Sequence, residues 1–211
     1  MDLSASWQRH RRDRRHARWV GQALGGDGRA FARLYEELYD PVADYLELRA
    51  PTPEDAEDLI ATVFHRFLQN LARFDSQRGS VLAWLLTMAR HALIDLLRAT
   101  RPQVAIEDLA EVLAGPSPDP LAGLIRTEQA DRVRCALAEQ PAEVREMFAL
   151  HYGQGLRLRE IGDLVGLSED AVKQRFSRVR RQLGDRLRNE EHTRACSRPR
   201  GGLVRAREGE V

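Results

Sequence analysis

Three prolines fall within six residues at 115–120 (GPSPDP), and no helix or sheet runs through such a stretch, because each proline lacks the N–H a ladder needs and restricts the residue before it. On both sides of it, apolar residues recur at steps of three and four, the period of one helix face, and nowhere do they alternate as a half-buried strand requires. The chain therefore reads as all-α, with two small helical domains joined by a flexible proline-containing linker. A basic N-terminal arm over 1–18 is expected to be disordered. The first domain is expected over 19–100, the linker over 101–125, the second domain over 126–188, and a polar, disordered tail over 189–211.

Within the first domain, Leu34, Leu38, Val42, Tyr45 and Leu46 mark one helix, and Pro41 inside it predicts a kink or two abutting helices. Thr52 between two prolines suits an N-cap, and Glu54, Asp55, Glu57 and Asp58 suit the positive end of the helix that follows. That helix carries Leu59, Ile60, Val63, Phe64 and Phe67 toward a core. After a loop at 74–80 (FDSQRGS), a third helix runs from about Val81 to Arg98. Trp84 fits its apolar side and reads as core. Cys135, in a helical stretch before Pro141, reads as a small core residue.

A net charge of +1 over 211 residues conceals a strong asymmetry. Residues 1–30 hold seven arginines against three acids, and 171–188 hold seven basic groups against one acid. The stretch between them is acidic. Such segregation builds surfaces for a polyanion beside surfaces that repel one.

The second basic block belongs to LREIGDLVGLSEDAVKQRFSRVRRQL, 158–183. Ile161, Leu164 and Val165 lie on a first helix, Gly166-Leu167 makes a turn, and Ser168 caps a second helix packed through Val172, Phe176, Val179 and Leu183. This is the pattern of a helix-turn-helix, whose second helix enters the major groove. Ser168, Lys173, Gln174, Ser177, Arg178 and Arg181 are its candidate DNA contacts. Lys173 and Gln174 suit guanine and adenine edges, and Arg180, Arg181, Arg186 and Arg188 suit phosphates. A solvated arginine-rich helix closing a bundle is the plainer alternative.

Other functions find little support. The longest apolar run, 81–89, is nine residues, half of a membrane span, so no membrane insertion is expected. Two distant cysteines, Cys135 and Cys196, form no disulfide framework, and a reducing cytoplasm is expected. His192 and Cys196 supply two ligands where a tetrahedral site needs four, so no metal and no cofactor are expected. GQALGGDG at 21–28 lacks the Lys-Ser/Thr ending of a phosphate loop, and no nucleophile sits in a catalytic pattern; an enzyme is not expected.

Four blocks in order, FARLYEELYDPVADYL (31–46), DAEDLIATVFHRFLQNLARFD (55–75), WLLTMARHALIDLLR (84–98) and the 141–183 segment, resemble the extracytoplasmic-function (ECF) sigma factors of bacterial RNA polymerase, which keep only regions 2 and 4 of the sigma-70 family. The resemblance implies a transcription initiation factor. The 55–71 helix would dock on the clamp of the polymerase largest subunit through Asp55, Glu57, Asp58, Leu59, Val63 and Phe64. Arg78, Ser80, Arg90, His91 and Arg98 would bind the −10 element, and the helix-turn-helix the −35 element. Implied partners are core RNA polymerase at its clamp and flap regions, promoter DNA and an anti-sigma factor. A stand-alone helix-turn-helix regulator binding duplex DNA is the alternative.

Overall fold

A computed structural model describes residues 3–100, 106–115, 133 and 135–197 of the protein. Every regular element among the described residues is helical. Helix α1 spans Leu3–Leu24, α2 Gly28–Glu47, α3 Pro53–Asn70 and α4 Val81–Thr100; α5 is Ile106–Ala114, α6 Ala142–Phe148, α7 Leu158–Val165 and α8 Glu169–Ser197.

The first domain is built on α2, α3 and α4. Asp27 opens α2 by accepting from the backbone N–H groups of Arg29 and Ala30, and Thr52 opens α3 by accepting from Asp55 N–H at 3.1 Å. Both satisfy donors that no helical carbonyl reaches. Of the two outcomes expected at Pro41, a kink or two abutting helices, the second does not occur, since α2 continues through it to Glu47. Val42, Leu46 and Leu38 flank that proline and are all but fully buried, so packing holds the helix together where one backbone bond is missing. Phe67, Leu82, Leu85, Leu86 and Leu93 complete the core.

From Leu3 onward, the arm expected to be disordered is instead the larger part of α1. This helix docks on α2 by burying Val20 and His16, whose Nε2 lies 2.9 Å from Glu37 Oε2. Arg15 pairs with the same carboxylate at 2.6 Å. The segment expected as linker also carries structure. Leu113 and Ala114 of α5 are buried, and α5 packs on α6. Most of GPSPDP lies outside the described residues. Helix α8 runs on to Ser197, into the segment expected as a disordered tail. Cys135, expected in a core, is exposed.

The second domain turns on two glycines. Gly166 ends α7 with φ +78, a left-handed conformation that costs a side chain but not glycine. A Cβ on Gly162 would sit 2.6 Å from the Leu167 carbonyl oxygen, so only glycine lets the two helices close. Ser168 Oγ then accepts from Ala171 N–H at 3.2 Å and starts α8. Val172, Phe176 and Val179 are buried, and Phe176 stacks on Phe148 with ring centres 4.3 Å apart.

Candidate nucleic-acid interface

Val172, Phe176, Val179 and Leu183 fix which way α8 faces. At 100° per residue, Lys173, Gln174, Ser177, Arg178 and Arg181 fall on the opposite side of the helix, and all five are exposed. Two flanking arginines are engaged elsewhere: Arg175 lies 3.8 Å from Glu143, and Arg180 sits over the Phe176 ring and donates to Tyr152 Oη. Arg180 therefore belongs to the packing side, although the sequence places it with the phosphate contacts. The side chains of Arg186, Arg188, His192 and Cys196 lie outside the described ones.

Acids screen this exposed face at its start. Lys173 Nζ contacts Glu169 at 2.8 Å and Asp170 at 3.5 Å, and the hydrogen bond it donates to Glu169 holds the ammonium above the ordinary lysine range. DNA would have to draw Lys173 away from both carboxylates.

In the first domain the candidates divide. On α3, Glu57 and Asp58 are exposed. Asp55 is half-buried, and its carboxylate accepts from Thr52 Oγ1 at 2.9 Å, completing the helix start. Leu59, Val63 and Phe64 point into the core and are at most 6% exposed, so these three cannot meet a partner's surface. The outer face of α3 instead presents Asp58, Ala61, His65 and Leu68, the last 52% exposed.

Among the −10 candidates, Arg78, His91 and Arg98 are exposed. Ser80 and Arg90 are not available as expected. Ser80 is buried as the cap of α4, its Oγ accepting from Ala83 N–H, and its own N–H donates to Glu160 Oε1 at 2.7 Å. Arg90 turns inward, with Nε 3.4 Å from Glu146 Oε1. Trp84 is only half-buried; it packs on Phe67 and Phe74 and also lines an open cleft of about 500 Å³ with Arg73, Arg78, Arg159 and Glu160.

These contacts reveal residues that sequence reading passed over. Glu160 caps α4 and α7 together, because its other oxygen accepts from Arg157 N–H at 2.8 Å. Glu146 accepts from Tyr45 Oη at 3.1 Å across the domains. Arg49 donates to the Leu113, Ala114 and Tyr45 carbonyls, closing the end of α5. Only Glu160 had a visible signal, three positions after Arg157 at a helix start. The two domains thus pack together through buried polar groups.

Burial pushes the Glu146 carboxyl above the usual glutamate range, against the pull of Arg90 and Arg49. A carboxyl that holds its proton more tightly folded than unfolded stabilises fully below its unfolded value, and that contribution fades as pH rises through the folded one. Glu146→Gln fixes the neutral form and keeps an oxygen for Tyr45. Its melting temperature should match the wild type near pH 4 and exceed it increasingly toward about pH 7. A variant less stable than wild type at every pH would show that the charged pair with Arg90 dominates.

Residues 34–103 match sigma-70 region 2, and residues 130–183 match sigma-70 region 4. The chain is 31% identical over 159 residues to the ECF RNA polymerase sigma factor BldN of Streptomyces coelicolor, covering 73% of this chain and 59% of that relative. It is 33% identical over 168 residues to the ECF RNA polymerase sigma factor RpoE of Cereibacter sphaeroides, covering 77% and 86%. The chain belongs to the ECF sigma factors. In fold it is similar to the structure of CnrH in complex with the cytosolic domain of CnrY, with a TM-score of 0.50 at 24% identity over 81% of this chain and 96% of that one. This sigma factor spans less than two thirds of the BldN relative. Among its described residues no helix is long and apolar enough to cross a membrane, and no group of three or more His, Cys, Asp or Glu could hold a metal ion.

Proposed function

We propose that this sigma factor binds core RNA polymerase in the cytoplasm, directs it to promoters with −10 and −35 elements, and helps open the duplex. Nucleotide addition belongs to the polymerase. The observation that carries this reading is the exposed face of α8, with Lys173, Gln174, Ser177, Arg178 and Arg181 opposite the buried Val172, Phe176 and Val179, set within a two-region chain of the family. Base edges would be read near the start of the helix and phosphates farther along. Glu57 and Asp58 on α3 would meet basic groups of the polymerase clamp, with Leu68 as an apolar contact beside them. Arg78, His91 and Arg98 would track the opened −10 strand. An anti-sigma factor would act by holding one or both reading surfaces.

The packed arrangement of the domains is a closed one. The −10 and −35 elements are centred about 25 base pairs apart, roughly 85 Å of duplex at 3.4 Å per step. Spanning that distance would favour a more open arrangement, in which the Tyr45–Glu146 and Ser80–Glu160 contacts part.

Run-off transcription with core polymerase on promoter fragments from the source genome tests the reading. Specific starts that need both proteins are expected. Absence of transcript together with absence of any complex with core would overturn it and favour a stand-alone duplex-binding regulator.

A further inference from the structure

Helix α1 carries a one-sided feature that neither region 2 nor region 4 accounts for. Trp7, Arg11, Arg14 and Arg18 fall at i, i+4, i+7 and i+11, within an arc of about 60° at 100° per residue. All four are exposed, Trp7 at 62%. His16 and Val20 are buried on the opposite side of the helix. Among the described residues, Arg11, Arg14 and Arg18 make no ion pair. The nearby acids face away: Asp13 is taken by Arg157 at 2.8 Å, and Glu37 by Arg15 and His16. The Arg11 guanidinium lies 5.5 Å from the centre of the Trp7 ring.

We propose that this face of α1 is a binding site for single-stranded DNA, separate from both promoter-reading surfaces. Three uncompensated guanidinium groups beside an exposed indole are what such a strand requires, a cationic track for phosphates and a flat apolar surface for an unstacked base. The stripe is about 16 Å long at 1.5 Å per residue, long enough for its three guanidinium groups to meet successive phosphates of one strand. An acidic protein would satisfy the arginines but gives no role to Trp7, the aromatic that this face of the helix presents at 62% exposure. Placement supports the same occupant. Helix α1 packs against α4 and the 71–73 turn, the elements that hold His91, Arg98 and Arg73. A strand leaving the −10 surface would therefore find α1 as the next positive surface in its path. In this respect the inference rests on the proposed function, but its test does not.

The experiment measures binding of the full-length free chain to a fluorescein-labelled dT20 oligonucleotide, by anisotropy, across a salt series and without polymerase. Wild type should bind with a steep salt dependence. Arg11→Gln, Arg14→Gln and Arg18→Gln combined should reduce the slope of log K against log salt by about 2, at roughly 0.7 per phosphate on single strands. Trp7→Ala should weaken binding about tenfold with little change in slope. Lys173→Ala with Arg178→Ala should leave most of the dT20 affinity in place. Three results would overturn the proposal: no measurable binding by wild type at low salt, an unchanged slope in the triple glutamine variant, or unchanged dT20 binding in that variant with weakened assembly on core polymerase. The last would assign the stripe to an acidic protein surface. Failure of run-off transcription leaves this measurement unaffected, so the two readings fail separately.

Discussion

Phe176→Ala should unfold the second domain and abolish −35-dependent transcription while leaving the first domain's helices folded. Phe176 is 1% exposed, its ring stacks on Phe148 at 4.3 Å, and His151 meets it edge-on at 5.3 Å. Truncating such a ring costs about 3–5 kcal/mol, the lost transfer energy plus the cavity left behind. That is a large share of the stability of a domain this small. Two helices, α6 and α8, lose their common contact at once. Circular dichroism should show a lower-melting transition for part of the helical signal, and the −35 footprint should vanish. A single unchanged transition would mean that contacts between the domains, rather than the Phe148–Phe176 stack, hold the second domain together.

The outcome of that variant is legible in the sequence, since Val172, Phe176, Val179 and Leu183 follow one stripe and their free face follows by geometry. Periodicity reports which residues turn inward, so the core of α2 to α4 and the helix-turn-helix both emerge from it. Periodicity also shows its limit on α3. Leu59, Val63 and Phe64 sit on the inward stripe, yet resemblance assigned that whole helix to a partner, and burial removes them from any surface. Apolar character signals a core as readily as an interface, and only the neighbours decide.

Contacts between distant residues were less visible. Tyr45 and Glu146 are 101 positions apart, Ser80 and Glu160 are 80 apart, and nothing in either segment announces its partner. A glutamate beside an arginine, as Glu146 is beside Arg145 and Glu160 beside Arg159, reads as a solvated position until a second domain covers it. For the same reason Arg90 and Ser80 pass as DNA contacts in a segment read alone. The arm at 1–18 misleads in another way. Its many arginines give it the charged, apolar-poor character of a disordered tail, while His16, Trp19 and Val20 supply enough inward surface to dock the helix that carries them.

The decisive functional variant reverses charge at exposed positions that the packed core does not use. Lys173→Glu with Arg178→Glu places acids at two exposed positions of α8, on the face opposite Phe176. Neither side chain contributes to the packed stripe, so the melting temperature should stay within a degree or two of wild type. Promoter binding should fall on the order of 100-fold or more, because each good base contact is worth one to two decades and reversed charges also repel phosphates. Lys173→Glu alone is the sharper case. It would leave Glu169 and Asp170 without the ammonium they share at 2.8 and 3.5 Å, and so set three carboxylates facing the groove. Lys173→Ala, which removes the cation without adding an acid, should show a smaller loss. Assembly with core polymerase, measured by co-elution, should be unchanged in all three variants, since α3 is untouched. Transcription that survives the double reversal with an intact complex would remove α8 from promoter recognition, and would leave the chain a polymerase-binding protein whose helix-turn-helix reads nothing.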